Sequence, residues 1–288
     1  GMDKIEIIEC PRDAMQGYSR LFSKKEKLRY LRSLMPVGFS AIDIGSFVSP
    51  RAIPQMADTK IILDSLLESK GSNKFLVIAA NKRGVRNALN HRAVDIIGYP
   101  FSASETFQKR NTNRSRKQAI NDLREYSDLI QDNNKRLVVY MSMAFGNPYD
   151  ENISNQEILD LVGEISLISH FEALSLSDTV AMAKKGSINL MVRLIQENIS
   201  GVHLGLHLHV PGVNTSGQTL LKEAWNSGIR RYDSALLGFG GCPFAADDLS
   251  GNLSTESLIT FLASEKVNDG INPTALEAAM NEARDLFL

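Results

Sequence analysis

The chain has 288 residues, of which 43% are hydrophobic and 23% are charged, and its formal net charge is −1 at pH 7. This composition predicts a large core and argues against disorder, and the near-zero charge gives no electrostatic reason to expect nucleic acid or an anionic membrane as a partner. The two cysteines lie far apart, no run approaches the roughly 20 apolar residues of a membrane-spanning helix, and no secretion signal is recognisable. We therefore expect a soluble, cytoplasmic protein.

Short apolar runs alternate along the chain with longer amphipathic segments. The apolar runs predict eight β-strands, at residues 4–9, 41–44, 75–79, 94–98, 137–143, 173–176, 202–208 and 231–235. The amphipathic segments predict helices near 24–35, 57–69, 82–90, 115–133, 154–168, 182–197, 217–227, 254–265 and 273–287. Eight strand-then-helix units predict the α/β fold of a (β/α)8 TIM barrel, with a doubly wound open sheet as the main alternative.

No low-complexity linker interrupts this alternation, and we expect no domain boundary before about residue 270. We therefore predict a single catalytic barrel domain over residues 2–288. A loop at about 238–253 would form a lid, and the helices at about 254–288 would be C-terminal additions to the barrel.

Polar residues recur where the predicted strands end. The active site of a TIM barrel lies at the C-terminal ends of its strands, so polar side chains should gather there. Any one of these residues is more simply a turn residue or a helix cap, but their repeated placement indicates a shared polar site. In chain order they are Arg12, Asp13 and Gln16; Asp43, Ser46 and Ser49; Asn81; Ser102, Ser104 and Glu105; Ser142; Ser177, Asp178 and Thr179; His207 and His209; and Asp233 and Ser234.

The run from His203 to His209 reads His-Leu-Gly-Leu-His-Leu-His, with a period of two. Its leucines would face a packing layer, while Gly205 and the histidines would face the other way. His207 and His209 could then hold one metal ion, with Asp13 as a ligand from another strand; two hydrogen-bonded interior histidines are the alternative. Such a mixed N/O ligand set suits Mg²⁺, Mn²⁺, Co²⁺ or Zn²⁺.

Arg12 stands beside Asp13 directly after the first predicted strand. The two could form a structural ion pair. If Asp13 binds a metal, however, Arg12 is free to stabilise a developing oxyanion. A basic segment at 107–114 and Arg83 are most simply solvated surface, although near the mouth of a barrel they could contact the phosphates of a large anionic substrate.

Cys242 lies in a loop rich in glycine and proline, Gly-Phe-Gly-Gly-Cys-Pro at 238–243. A glycine hinge leaves the thiol able to move and to meet a substrate, whereas an ordinary free cysteine is a core residue. Asn252 follows in the same loop system and offers a second polar group. These residues alone do not decide between a substrate-contacting and a structural role for Cys242.

Several motifs together resemble the hydroxymethylglutaryl-CoA lyases, which belong to the metal-dependent barrel enzymes related to isopropylmalate synthase. The Arg-Asp and His-x-His motifs are shared across that superfamily, whereas the Gly-Gly-Cys-Pro loop is specific to the lyases. The matching segments are Glu-Cys-Pro-Arg-Asp-Ala-Met-Gln at 9–16, Gly-Ser-Phe-Val-Ser-Pro at 45–50, Pro-Gln-Met-Ala-Asp at 54–58, Ser-Leu-Ser-Asp-Thr at 175–179, His-Leu-His at 207–209, Gly-Gly-Cys-Pro at 240–243 and Ser-Gly-Asn-Leu-Ser-Thr-Glu at 250–256.

The resemblance implies a (β/α)8 barrel and a divalent cation, typically Mg²⁺ or Mn²⁺, held by Asp13, His207, His209 and Asn252. It implies cleavage of 3-hydroxy-3-methylglutaryl-CoA to acetyl-CoA and acetoacetate. The implied partner is an acyl-CoA substrate. We expect neither nucleic acid nor a membrane as a partner, and we expect a homodimer or another homo-oligomer.

The same resemblance implies roles for individual residues. Asp13 or His207 would remove the proton of the substrate's tertiary hydroxyl, Arg12 would stabilise the acetyl-CoA enolate, and Cys242 would protonate it. The positions that line the family's substrate pocket correspond here to Gln16, Asp43, Ser46, Ser142, Thr179 and Glu256.

Four departures from the family pattern surround the implied site. Ala-Met at 14–15 replaces the usual Gly-Leu, and Asp43 stands where the family usually has the longer Glu. The segment 210–218 is longer than usual and lacks an acid, and the stretch 242–252 is one residue longer. The metal-binding motif itself is intact, so these departures bear on which acyl group is accepted.

Two other functions stay open. An aldolase or condensing enzyme of the same superfamily would act on a 2-oxo or hydroxy acid and would keep that activity after Cys242→Ser. A non-catalytic acyl-CoA-binding protein would keep the metal site and bind acyl-CoA tightly without turnover.

Overall fold

A computed structural model describes residues 4–211, 215–240 and 251–288. The strands are β1 Glu6–Glu9, β2 Ala41–Ser46, β3 Phe75–Ile78, β4 Ile96–Ser102, β5 Arg136–Ser142, β6 Ala173–Asp178, β7 Leu204–Val210, β8 Arg231–Ser234 and β9 Gly251–Asn252. The helices are α1 Pro11–Gln16, α2 Lys24–Leu34, α3 Thr59–Leu66, α4 Lys82–Leu89, α5 Glu105–Thr112, α6 Arg116–Asp132, α7 Asn155–Ile168, α8 Ser187–Asn198, α9 Thr215–Asn226, α10 Thr255–Ser264 and α11 Pro273–Phe287. None of the helices in these ranges is long and apolar enough to cross a bilayer.

Strands β1 to β8 form a closed parallel barrel, as the sequence predicted. Each strand pairs with the next, and β8 returns to pair with β1. Because the strands are parallel, their C-terminal ends all lie at one end of the barrel, called the mouth below. The short β9 pairs antiparallel with the end of β7 and sets Asn252 opposite His209.

Alternation along the strands divides the core into two layers. Ile8 of β1 and Tyr140 of β5 belong to a small cluster inside the barrel, whereas Ile7 belongs to the large cluster between the strands and the helices. In β7, Leu204 and Leu206 pack into the large cluster, on the side that the period of two predicted. The opposite face of β7 is thereby turned toward the barrel interior.

Two helices were absent from the sequence prediction, and each has a local cause. The basic segment at 107–114 lies mostly in α5, which begins where the Ser104 side chain accepts a hydrogen bond from Phe107 N–H and ends at Asn113 in the left-handed conformation. Phe107 is the only large apolar residue among its eight residues, so no amphipathic period predicts it. The other is α1, whose six residues are too few to show a period, although Pro11 occupies its first turn.

Strand β4 extends further than predicted. The prediction covered residues 94–98, whereas the strand runs from Ile96 to Ser102 and includes Pro100, which cannot donate a backbone hydrogen bond. Strand β3 pairs with β4 only as far as Gly98, so Pro100 lies beyond the last of those pairs, and β5 continues to pair with β4 up to Ser142.

An aromatic cluster joins the last helix to the segment that follows β8. It consists of Tyr18, Phe22, Tyr30, Phe239 and Phe287. The rings of Phe239 and Phe287 stack with their centres 4.6 Å apart, and Tyr18 Oη donates a hydrogen bond of 2.6 Å to the Phe287 carbonyl. Helix α11 therefore packs directly against the chain that leaves the mouth after β8.

Candidate active site

Three potential metal ligands meet at the mouth of the barrel. Asp13 lies in α1, just after β1, and His207 and His209 lie on the inward face of β7. The Asp13 Oδ2 atom is 3.3 Å from His207 Nε2 and 3.1 Å from His209 Nε2, and the two Nε2 atoms are 3.3 Å apart. The structure thus brings together the three residues that the sequence indicated as ligands.

The spacing of these three atoms fits a divalent cation. Ligands at about 2.1 Å from an octahedral metal are separated by roughly 3.0 Å along each edge, close to the observed triangle. Two imidazole lone pairs and a carboxylate oxygen that point at one another need a proton or a cation between them. The geometry and the donor set therefore both suit a divalent cation, and neither distinguishes among Mg²⁺, Mn²⁺, Co²⁺ and Zn²⁺.

The charges of Asp13 and His207 are strongly coupled. Burial alone would raise the pKa of Asp13, but its hydrogen bonds with His207 and His209 and the charge of Arg12 lower that pKa well below its usual value. Burial alone would lower the pKa of His207, but Asp13 and Asp233 raise it to about 10. Without a cation, the carboxylate and the histidine pair therefore share a proton, which a metal ion would displace.

Asp233 of β8 holds the His207 ring from behind. Its Oδ2 atom lies 2.9 Å from His207 Nδ1, and the two residues are direct register partners. The ring of Tyr140 meets the imidazole edge-on, with the ring centres 6.1 Å apart. These contacts place the Nδ1 proton toward Asp233, so that Nε2 faces Asp13 and would become a metal ligand once the shared proton is displaced.

Asn252 reaches the site through β9. Its Nδ2 atom donates to Asp13 Oδ2 at 3.0 Å and to the Phe239 carbonyl at 2.8 Å. For its oxygen to become a metal ligand, the carboxamide would have to turn over. Asn252 therefore lies beside the ligand group, and its role as a fourth ligand stays a prediction.

Gly240 makes the close approach of these segments sterically feasible. Its φ is +103°, and a Cβ atom there would lie 2.5 Å from Asn252 Nδ2 and 2.8 Å from the Asp13 carbonyl oxygen. Only glycine fits this conformation and this space. Cys242, and most of the lid expected at about 238–253, lie outside the described residues.

Arg12 is fixed beside Asp13 by two neighbours. Its Nε and Nη2 atoms donate to the Asp43 carboxylate, with a shortest distance of 2.8 Å, and Nη1 donates to Gln16 Oε1 at 2.8 Å. Burial alone would lower the pKa of Arg12, but Asp43 and Asp13 raise it, so the guanidinium stays charged. These bonds use three of its five N–H groups, and Nη1 also lies 3.7 Å from Asp13 Oδ1.

The remaining predicted pocket residues lie at the same end of the barrel. Ser46 ends β2, and its buried hydroxyl has no hydrogen-bond partner among the described residues. Ser142 ends β5, and Thr179 directly follows β6. Glu256 lies in the first turn of α10, where its carboxylate accepts the backbone N–H of Leu237 at 2.9 Å. In the structure, Gln16 and Asp43 are thus hydrogen-bonded to Arg12, and Glu256 is hydrogen-bonded to the turn after β8.

Two residues at the site carried no assignment from sequence. Asp233 was noted only as a polar residue near a strand end, and Cys10 only as part of a motif. A period of two in Arg-Tyr-Asp at 231–233 would have turned Asp233 inward, because Tyr232 packs in the outer cluster. Its pairing with His207 depends on the register between β7 and β8, which the sequence does not display.

The chain matches known proteins along almost its whole length. The model of the HMGL-like family matches residues 4–282. The chain is 31% identical over 271 residues to the cytoplasmic 3-hydroxy-3-methylglutaryl-CoA lyase of Rattus norvegicus, covering 93% of this chain and 77% of that protein. It is 27% identical over 276 residues to the 3-hydroxy-3-isohexenylglutaryl-CoA/hydroxymethylglutaryl-CoA lyase of Pseudomonas aeruginosa, covering 95% and 89%.

A solved structure agrees equally closely. The HMG-CoA lyase from Acinetobacter baumannii, in complex with coenzyme A and 3-methylmalate, superposes with a TM-score of 0.88 and 27% identity. The match covers 99% of this chain and 91% of that one. The likeness therefore extends through the barrel to the C-terminal helices.

Proposed function

The chain belongs to the HMGL-like family, and we propose that it is a divalent-metal lyase that cleaves 3-hydroxy-3-methylglutaryl-CoA, or a close 3-hydroxyacyl-CoA, to acetyl-CoA and acetoacetate or the matching keto acid. One observation carries the proposal: Asp13, His207 and His209 converge beside the fixed guanidinium of Arg12 at the mouth of the barrel. This arrangement provides a cation site next to a positive group that can receive developing negative charge.

The residues of the site divide the reaction between them. A bound Mg²⁺ or Mn²⁺ would polarise the substrate oxygens and acidify its tertiary hydroxyl. Asp13 or His207 accepts the hydroxyl proton, and the electrons of the breaking carbon–carbon bond pass to the acetyl-CoA fragment as an enolate. The two remaining N–H groups of Arg12 stabilise the enolate oxygen. Cys242 donates a proton to the enolate carbon, so that the proton taken from the hydroxyl is matched by one given to the product.

The pocket residues have different roles in this proposal: some orient Arg12 and others contact the substrate. Gln16 and Asp43 orient Arg12 through their hydrogen bonds. Ser46 offers an unpartnered buried hydroxyl to the substrate. We place Ser142 and Thr179 along the acyl chain, because they end or follow strands on the far side of the mouth.

Two further residue roles and three properties of the whole protein belong to the same proposal. Asn252 would complete the ligand set after its carboxamide turns over, and Glu256 would hold the turn through which the lid attaches. We also propose a single catalytic domain, a cytoplasmic location and a homodimeric or other homo-oligomeric assembly.

The direct test is cleavage by purified protein. With Mg²⁺ or Mn²⁺ and a reductant, the protein should release acetyl-CoA and acetoacetate from 3-hydroxy-3-methylglutaryl-CoA, and Asp13→Asn should abolish the release. A panel of CoA thioesters that includes 3-hydroxy-3-isohexenylglutaryl-CoA, named for the Pseudomonas relative, defines the acyl group. If no member of the panel is cleaved at saturating metal, the proposal is wrong.

A further inference from the structure

A second group of ligand atoms lies directly beneath the first. It consists of Cys10 at the end of β1, His207 of β7 and Asp233 of β8, and we call it the lower group. The Sγ atom, one imidazole nitrogen and one carboxylate oxygen all lie within 4.8 Å of one another. The three residues come from neighbouring strands, because Cys10 N–H bonds the Ser234 carbonyl at 2.9 Å and His207 is the register partner of Asp233.

The lower group is buried and electrostatically incomplete. Cys10 is 0% exposed and Asp233 is 2% exposed. The Oδ1 atom of Asp233 has no hydrogen-bond partner among the described residues, a costly state for a buried carboxylate oxygen. Among the described residues, the Cys10 thiol donates one weak hydrogen bond of 3.5 Å, to the Ile8 carbonyl. Cys10 Sγ and Asp233 Oδ1 can therefore accept a cation without losing a strong bond, whereas an ion at His207 Nδ1 would replace the 2.9 Å bond between that atom and Asp233 Oδ2.

The surroundings of Cys10 favour a positive ion. Burial raises the pKa of the Cys10 thiol, and the carboxylates of Asp233, Asp43 and Asp13 raise it further. The same negative field that disfavours a bare thiolate would stabilise a thiolate bound to a divalent cation. Arg12 offsets part of this field through Asp43 and Asp13, and the buried Arg231 offsets part of it through Asp233.

The thiol distinguishes the lower group from the group at the mouth, which contains no sulfur donor. Thiolate ligands favour Zn²⁺ and its heavier relative Cd²⁺, whereas Mg²⁺ and Mn²⁺ bind thiolate poorly. We propose that Cys10, His207 and Asp233 form a second cation site, specific for thiophilic divalent ions, whose occupation inhibits the enzyme. Only the inhibitory consequence rests on the proposed function.

Inhibition follows from the two nitrogens of one imidazole. A neutral imidazole has a single lone-pair nitrogen. When the thiophilic ion takes the lone pair of His207 Nδ1, the remaining ring proton lies on Nε2, so Nε2 is no longer a ligand beside Asp13. The Cys10 thiol and His207 Nδ1 each release one proton to solvent, and no group is oxidised or reduced. The two cations therefore compete through His207.

The chain contains only two cysteines, so the site can be assigned by spectroscopy. Cd²⁺ is added to the full-length protein in a phosphine reductant, and the thiolate-to-cadmium charge-transfer absorption is recorded. The band should saturate at one ion per chain in the native protein and in Cys242→Ser, and it should vanish in Cys10→Ala. A band that survives Cys10→Ala and vanishes in Cys242→Ser would overturn the proposal.

Cys10→Ser serves as the second variant, because it keeps the buried volume if Cys10→Ala unfolds. Thermal unfolding in the absence of Cd²⁺ establishes that each variant is folded. In Mg²⁺ assays, the Cd²⁺ concentration that halves the rate should rise at least about tenfold in either Cys10 variant, each measured against its own uninhibited rate. Equal inhibition of the native protein and both variants would contradict the site.

The two proposals fail separately. Absence of cleavage without thiophilic metal, together with a Cys10-dependent band, would refute the proposed lyase activity and leave the second site standing. Cleavage without any Cys10-dependent band would refute the second site alone.

Discussion

Asp233 acts on the site without reaching the mouth, because its hydrogen bond to His207 Nδ1 sets which imidazole nitrogen faces Asp13. Replacing it by Asn keeps the volume but removes the charge. We expect Asp233→Asn to weaken Mg²⁺ or Mn²⁺ binding by about 10–100-fold, as measured by calorimetry or by manganese spin resonance.

The matched control for Asp233 is Asp95→Asn at the opposite end of the barrel, where the carboxylate bonds Phe75 N–H and Lys70. That change should affect stability but not metal affinity. If the two variants bind metal equally well, Asp233 does not orient His207.

Gly240 offers a second prediction at the scale of one residue. An added Cβ would collide with Asn252 Nδ2 and with the Asp13 backbone, so Gly240→Ala should displace both segments. Gly270 also has positive φ, at +73°, but a Cβ atom added there would meet nothing within 4 Å, so Gly270→Ala carries the backbone cost alone.

Both glycine variants should lose roughly 1–2 kcal/mol of stability from the left-handed backbone. Only Gly240→Ala should also weaken metal binding and slow cleavage. Denaturant unfolding and metal titration of the pair separate these effects, and a loss of metal affinity in both variants would argue against a specific contact.

At the scale of elements, Glu9 ties β1 to the segments that follow β8. Its carboxylate is fully buried and accepts hydrogen bonds from Leu236 N–H and from the Thr255 hydroxyl at the start of α10. Burial raises its pKa from 4.5 to about 8, against the lowering effect of those two bonds, and the charge of Glu256 adds to the rise.

The sign of the resulting pH dependence follows from proton binding. The folded protein keeps the Glu9 proton up to about pH 8, whereas the unfolded chain releases it above about 4.5. Unfolding therefore releases a proton in this window, and the free energy of unfolding falls as the pH rises from about 4.5 to about 8. The total loss is on the order of several kcal/mol.

Glu9→Gln should remove this part of the pH dependence, because the amide is neutral at every pH and can still bond Leu236 and Thr255. Denaturant unfolding at a series of pH values between 5 and 8 checks it, with native protein as the reference. Parallel curves for the two proteins would show that Glu9 is ionised in the folded state.

For the whole molecule, much of the fold was predictable because its signals are local. Apolar runs of four to seven residues alternating with capped amphipathic helices predicted the barrel, and the mouth followed from the rule for parallel strands. The His-x-His pair followed from the period of two, and Arg12 and Asp13 from their place after β1. These predictions needed no knowledge of which residues touch.

The remaining features depend on distances that only closure of the barrel sets. Cys10, His207 and Asp233 lie far apart along the chain, and they meet because β8 pairs with both β1 and β7. Helix α5 was missed because its caps, and not a hydrophobic period, define it. Asn252 was predicted as a ligand, but only the fold shows that its amide nitrogen faces Asp13.

Phe287 links the last helix to the site and allows a test at this scale. It is 3% exposed and packs on Phe239, whose carbonyl receives Asn252 Nδ2. Phe287→Ala should cost about 3–5 kcal/mol of stability and, in the folded protein at low temperature, should also weaken metal binding. Phe287→Leu retains most of the apolar contact and should bind metal as tightly as the native protein. If Phe287→Ala also binds metal as tightly as the native protein, the aromatic cluster and the site are independent.

The aromatic cluster also has a consequence for the order of events during synthesis. Ribosomes make the chain from its N-terminal end, and segments become available for folding in that order. Asp13 emerges early and the two histidines follow well before the last helix, but Phe239 gains its stacking partner only after residue 287 has been made. A nascent chain would therefore carry a nearly complete barrel with an unsupported metal site, and the ion would be held firmly only when the last helix docks.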